Sequence, residues 1–148
     1  MSSISQYLSA DHDHCDNLFI EAESAVAKAQ WNNAETLFYS FRSGTELHFS
    51  REELVLFPAF EQATTLSGGP TEVMRSEHRQ MRRILQELEE ALKKRDIDQF
   101  LGEAETLLTV MQQHNLKEEN MLYRMAGQVL ASQADAVVRK MKSVGGPA

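Results

Sequence analysis

An all-α, antiparallel up-down-up-down four-helix bundle with a short extra C-terminal helix is the fold that this 148-residue sequence predicts. Three observations predict it. Apolar residues recur at alternating steps of three and four in four long segments, the period of helices that each bury one face. Strand-like alternation is absent. The breaks between segments are short and carry turn residues. The length suits one domain, with the bundle expected over residues 1–127 and the C-terminal helix and loose tail of the same domain over 128–148.

The first segment carries the stripe Ile4, Leu8, His12, Cys15, Phe19, Ala22, Val26, Ala29. A polar stretch around Gln30–Asn33 separates it from the second, with Trp31 covering that end. The second stripe reads Ala34, Leu37, Phe41, Thr45, His48, Glu52, Val55, Ala59. Pro58 is expected to kink or terminate this helix, because proline lacks the donor the ladder needs. Ser67-Gly68-Gly69-Pro70-Thr71 reads as a loop. The third stripe is Met74, His78, Met81, Leu85, Leu88, Leu92. A tight turn at Arg95–Asp98 follows, with Asp96 or Asp98 as cap. The fourth stripe is Phe100, Ala104, Leu107, Met111, His114, Glu118, Met121, Met125. Gln128–Lys142 is a further amphipathic stretch that packs on the bundle or on a second subunit, and Gly145-Gly146-Pro147-Ala148 reads as a loose tail.

Composition narrows the function classes. Hydrophobic residues make up 42% and charged residues 25%, a globular mixture rather than a disordered one. The formal net charge of −7 argues against a nucleic-acid or anionic-membrane partner. No apolar run approaches the roughly 20 residues that span a bilayer, and Met1–Ala10 is polar, so neither a membrane span nor a signal peptide is expected. A single cysteine, Cys15, excludes an internal disulfide and suits a reducing, cytoplasmic location.

The anomaly lies on the stripes. His12, His48, Glu52, His78, His114 and Glu118 occupy positions that should be apolar, and a carboxylate buried without a partner costs several kcal/mol. Two helices repeat His-x-x-x-Glu, as His48/Glu52 and His114/Glu118, and residues four apart share one helix face. His78 and His114 each stand about 17 residues from the turn near Asp96, roughly 26 Å along the helix, and His12 and His48 are similarly matched about Gln30–Trp31. Four antiparallel helices therefore present one layer of four imidazoles and two carboxylates. That set suits iron, zinc, copper or nickel rather than magnesium or calcium. Six ligands exceed a structural zinc site. Two carboxylates, each giving one oxygen to each of two ions, with two imidazoles per ion, describe a dinuclear centre, for which iron is the natural occupant.

Asp11-His12-Asp13-His14-Cys15-Asp16-Asn17-Leu18-Phe19 resembles the first hemerythrin motif, and His48 through Pro58, with its Leu-Phe-Pro ending, resembles the second. Glu77-His78 and His114 through Tyr123 resemble the third and fourth. The resemblance covers roughly Leu8 to Met125. It implies a hemerythrin-like (HHE cation-binding) bundle with a non-haem di-iron centre, two oxo- or hydroxo-bridged iron ions held by His12, His48, Glu52, His78, His114 and Glu118. Oxygen-carrying hemerythrins bring a fifth histidine one turn before the position of His78, and Met74 stands there instead. The four-His, two-Glu set is closer to bacterial proteins implicated in repairing iron centres, which carry an amino-terminal cysteine motif that this sequence does not contain.

Other residues compete for roles. His14 lies about 200° around the helix from His12, so only one faces the core, and His12 continues the stripe. Glu119 rivals Glu118, and the sister motif favours Glu118. Cys15 reads as a buried structural thiol and Met81, Met111, Met121 and Met125 as core. Tyr7, Tyr39 and Tyr123 are each able to donate a hydrogen bond to a ligand at the metals. Glu77 could fill the vacancy left at Met74. The expected function is binding or sensing of a small ligand, dioxygen or nitric oxide, or handling of iron. The alternative is an enzyme that reduces nitric oxide or peroxide, or assists iron-centre repair, with a partner reductase, since no flavin or nicotinamide motif appears. Ferritin-type storage uses Glu-x-x-His and zinc peptidases use His-Glu-x-x-His, and neither tetrapeptide occurs.

Overall fold

The computed structural model describes residues 3–65 and 69–145, and among these no strand occurs. Helix α1 (Ile4–Ala27) starts at a capping box, in which Gln6 N donates to Ser3 Oγ and Ser3 N donates to Gln6 Oε1. Helix α2 (Trp31–Arg51) runs through a π-turn, Glu52–Leu56, into α3 (Phe57–Thr64). Helix α4 (Pro70–Lys94) opens on proline, which has no donor to leave unpaired there. Helix α5 (Ile97–Lys117), capped by Asp96, runs through a second π-turn, Glu118–Leu122, into α6 (Tyr123–Val129). A short 3₁₀ turn, Ala131–Gln133, leads to α7 (Ala134–Ser143).

These elements make four antiparallel rods, α1, α2–α3, α4 and α5–α6. Helix α7 lies across one end, with Val137, Val138 and Met141 buried against Ile4, Leu8, Leu56 and Phe57. The amphipathic stretch at 128–142 is thus on the bundle, though Leu130 breaks it in two. The turn between α1 and α2 is tighter than the polar stretch 30–33 suggested, because Asn32 and Asn33 already lie in the first turn of α2. Trp31 packs on the core there, under the Arg95 guanidinium. Ser67 and Gly68 of the expected loop, and Gly146, Pro147 and Ala148 of the tail, lie outside the described residues.

Pro58 does not end its helix. The π-turn immediately before it carries the chain through to Thr64. Each π-turn adds a residue to one turn of helix, so the buried stripe shifts by one beyond it. After Glu52 the core positions are Leu56, Phe57 and Phe60 rather than Val55 and Ala59. After Glu118 they are Leu122, Tyr123 and Ala126, leaving Met121 exposed and Met125 half-buried.

The two halves of the chain are built alike, offset by 66 residues. His12, His48 and Glu52 correspond to His78, His114 and Glu118, and both π-turns correspond. So do the turns: Ala29 and Arg95 both take the left-handed conformation, at φ 55° and 53°. Each is closed by the same pair of bonds, Ala29 N to Val26 O and Gln30 N to Ala25 O, against Arg95 N to Leu92 O and Asp96 N to Ala91 O. The buried core exchanges size between the halves: Ala34 corresponds to Phe100, and Phe38 to Ala104. Phe38 and Phe100 meet edge to face at 5.9 Å.

The structure places Phe38 in the core where the sequence stripe had Leu37, which is only half-buried. Phe38→Ala should cost about 3–5 kcal/mol in urea unfolding, and Leu37→Ala about 1 kcal/mol. The reverse order would contradict the register of α2.

Candidate metal centre

The layer of polar side chains lies between two apolar clusters. One, toward the α1–α2 and α4–α5 turns, includes Phe19, Phe38, Phe41, Leu85 and Phe100. The other, toward α7, includes Leu8, Leu56, Phe57, Met74 and Leu122. Between them all six sequence-predicted residues are buried: His12, His48, Glu52, His78, His114 and Glu118. His14 is exposed on α1.

Their donor atoms form two groups able to hold a metal ion, Glu52/His78/His114/Glu118 and His12/His48/Glu118, each with its atoms within 4.8 Å of one another. Glu118 belongs to both: Oε1 lies 3.0 Å from His12 Nε2, and Oε2 lies 3.2 Å from His114 Nε2. Glu52 is arranged differently. Its Oε1 stands 3.0 Å from His78 Nε2 and 3.5 Å from His48 Nε2, while Oε2 accepts from Tyr123.

Every imidazole is oriented from outside by a carboxylate on a neighbouring rod. His12 Nδ1 donates to Glu119 at 2.6 Å and His48 Nδ1 to Asp11 at 3.0 Å. His78 Nδ1 donates to Glu53 at 2.7 Å and His114 Nδ1 to Glu77 at 2.8 Å. The pairs close a ring, α1 to α2, α2–α3 to α4, α4 to α5, and α5–α6 to α1. A carboxylate only accepts, so each Nδ1 carries the proton and each Nε2 faces inward. Three of the four outer carboxylates are anchored in turn. Arg51 donates to both oxygens of Asp11 at 2.9 Å, Arg82 grips Glu53 at 2.8 and 3.0 Å, and Lys117 pairs with Glu77. No lysine or arginine pairs with Glu119 among the described residues. Glu77 therefore does not fill the vacancy at Met74, which is packed in the apolar cluster instead.

The sequence reading left Asp11 and Glu53 unnoticed. The signal was position: Asp11 and Glu77 immediately precede a predicted histidine, and Glu53 and Glu119 immediately follow a predicted glutamate. It also left three tyrosines equal, and the structure selects Tyr123. Its Oη lies 2.7 Å from Glu52, 2.9 Å from Glu118, 3.2 Å from His12 and 3.4 Å from His48. In a continuous α-helix a residue five beyond Glu118 would point about 140° away, and the π-turn swings it in.

Charge explains the titration. Burial opposes charging His48, but Glu52, Asp11 and Glu118 outweigh it and hold His48 well above its usual value. Burial likewise opposes charging His78 and His114, and their carboxylate neighbours raise both. Burial pushes Glu52 up, whereas against burial the contacts of Glu118 hold it well below the usual carboxylate range. Against burial, His78 and Arg82 hold Glu53 down at about 2. Burial, then Glu52 and Glu118, keep the Tyr123 phenol protonated. Burial also raises the Cys15 thiol, as expected of a structural cysteine.

Glu52 Oε1 and His78 Nε2 face one another at 3.0 Å, and Glu118 Oε2 and His114 Nε2 at 3.2 Å, yet none of the four buried atoms makes a hydrogen bond of good geometry among the described residues. Four orphaned lone-pair atoms in one dry volume are costly unless a cation occupies it, so the donor set fits a metal. A helical bundle with a carboxylate shared between two histidine-bearing groups has the makings of a metal-binding site. The chain belongs to the hemerythrin HHE cation-binding domain family, whose family model matches residues 3–126. Comparison with curated proteins and with solved structures returned no match. No helix among the described residues is long and apolar enough to cross a membrane.

Without metal, protons do part of the cation's work. The raised folded pKa of His48, His78 and His114 contributes stability that is present below the usual value of 6.5 and lost as pH rises through the folded values. The melting temperature of chelator-treated protein should therefore fall from pH 6.5 to about pH 9, while metal-loaded protein loses less. A flat or rising melting temperature for the chelator-treated form would contradict this electrostatic reading.

Proposed function

We propose that His12, His48, Glu52, His78, His114 and Glu118 hold a non-haem di-iron centre, at which the protein binds a small ligand, dioxygen or nitric oxide, as a carrier, sensor or iron-handling protein. The observation that carries this reading is Glu118, whose two oxygens face different histidine groups. Imidazole with carboxylate suits iron in both its common oxidation states. Iron held there would supply reversible binding and redox chemistry toward a diatomic ligand.

The chain's own residues shape that chemistry. The outer carboxylates fix the imidazoles in one tautomer and orientation, and the apolar clusters exclude bulk water. Tyr123 stacks on His12 with ring centroids 5.7 Å apart, and its counterpart Phe57 stacks on His78 at the same 5.7 Å. One side of the centre therefore has a hydroxyl donor, and the other has Phe57 and Met74. A polar small ligand is favoured on the His12/His48 side. Tyr123 also supports a second reading, reduction of nitric oxide or peroxide, because such a reaction needs a proton donor. A partner reductase would supply the electrons.

Protein purified anaerobically should contain about two irons per chain, and Glu118→Ala should lose metal because both groups lose an oxygen. A single zinc in wild type, or full iron in the variant, would overturn the di-iron reading.

Tyr123→Phe should retain both irons and, by removing the hydroxyl donor beside His12 and His48, bind azide about ten-fold more weakly in the ferric form. Unchanged azide affinity would show that Tyr123 does not donate to a ligand on that side. Steady-state consumption of nitric oxide or peroxide with added reductant, lowered in the same variant, would favour the enzyme over the binder.

A further inference from the structure

The 66-residue correspondence between the halves of the chain is broken at one corner of the bundle. At the α2–α4 corner the layer is closed. Phe49 stacks on His78 at 4.0 Å and 17°, and the Arg82 guanidinium lies 5.1 Å over Phe49. Arg82 Nε also donates to Glu46 at 3.1 Å while its other nitrogens hold Glu53. At the related α1–α5 corner every part of this closure is replaced. Asn115 stands for Phe49, Asp16 for Arg82 and Gln112 for Glu46, around the retained pair His12 and Glu119. An aromatic lid and a cation have become a small amide and an acid.

The consequences are visible in exposure and space. The Glu119 side chain is 37% exposed, against 20%, 24% and 18% for Asp11, Glu53 and Glu77. A cleft open to solvent, of about 350 Å³, is lined here by His12, Asp13, Asp16, Asn115 and Glu119. Behind it an inner cavity shares His12, Asp16 and Asn115 and reaches Thr45 and His48. That cavity has about 10 Å³ of space for the centre of a water molecule, enough for one water-sized species. Thr45 is 3% exposed and lines it next to Cys15. The acids are therefore not a surface cluster alone: the cleft they line shares His12, Asp16 and Asn115 with a cavity that touches two of the metal-binding donors, His12 and His48.

We propose that the α1–α5 corner is the passage by which a divalent cation reaches the buried layer, with Asp13, Asp16 and Glu119 drawing the ion in and the unanchored His12–Glu119 pair yielding to let it pass. This rests on the reading of the layer as a metal centre. Fixed negative charge at a narrow mouth concentrates cations and speeds their capture. Glu119 is free to swing because no basic side chain holds it, whereas swinging Glu53 would break two charge-assisted bonds to Arg82. His12 then turns with its carboxylate, and the other three histidines stay fixed as the template.

Cobalt(II) uptake by chelator-treated protein, followed by stopped-flow absorbance, tests the passage, with chelator extraction from the loaded protein as the reverse measurement. Asp13→Asn/Asp16→Asn should load about five-fold more slowly at low ionic strength, converging on wild type in high salt, with the same final metal content. Asp16→Arg, which restores the counterpart of Arg82, should slow both uptake and extraction by about ten-fold. Glu90→Gln/Glu105→Gln, the same charge change on exposed positions elsewhere, should leave the rates unchanged. Wild-type rates in the Asp16 variants at full metal content, or equal slowing in the control, would overturn the passage while leaving the metal centre intact. Should Asp16→Arg not fold, the double asparagine variant decides alone. Wild-type protein that takes up no metal would overturn the centre and the passage with it.

Discussion

Two carboxylates and four imidazoles held in one dry layer are the constraint on which the rest of this structure depends. Apolar clusters press on the layer from both ends, so no bulk water is there to solvate it. Each donor must be held by something else. The imidazoles are held by the outer ring of carboxylates, and three of those by Arg51, Arg82 and Lys117. Arg51 also donates to Met141 O, so the docking of α7 is tied through Asp11 to His48. An interaction that looks like surface salt bridging therefore reaches the middle of the bundle. Such pairs contribute little when isolated and exposed, and more when they fix a buried donor.

The bundle and the six inner residues were legible in the sequence because both rest on the 3.6-residue period. His12, His48, His78 and His114 fall on apolar stripes, and their distances from the turns bring them level. What the period could not carry was any departure from itself. The π-turns at Glu52–Leu56 and Glu118–Leu122 have no residue signature comparable to a proline or glycine, so Val55, Met121 and Tyr123 were each assigned to the wrong face or to none. Pro58 misled for the same reason: its missing donor is a defect in an α-ladder, and the ladder had already changed before it. Asp11 and Glu53 were hidden because a carboxylate next to a core residue reads as a solvated neighbour, and only a partner on the adjacent rod gives it a role.

The internal offset of 66 residues was present in the numbers and absent from the letters. His12 to His48 and His78 to His114 are both 36 residues apart. The surrounding core exchanges Ala34 and Phe38 for Phe100 and Ala104, which conserves volume while erasing identity. Packing constrains the sum of two facing side chains more than either one, so a duplicated architecture survives where duplicated sequence does not. Tyr123 against Phe57, and Asp16 against Arg82, are exchanges of another kind, because they change chemistry rather than volume.

Those exchanges polarise the centre in one direction. Tyr123 puts its hydroxyl beside His12 and His48, and the acidic, unroofed corner opens onto His12 as well. The opposite side has Phe57, Met74 and Phe49, with Arg82 over the top. The charge balance points the same way. Among the described residues, two inner and four outer carboxylates outnumber the three basic anchors, and the deficit lies at Glu119, which pairs with no lysine or arginine there. The missing positive charge must come from protons or from metal, and Glu119 is the most solvent-exposed of the four outer carboxylates. A frame built alike in its two halves thus carries the hydroxyl donor and the open cleft on the His12 flank, while the His78 flank is closed by aromatic rings and a guanidinium.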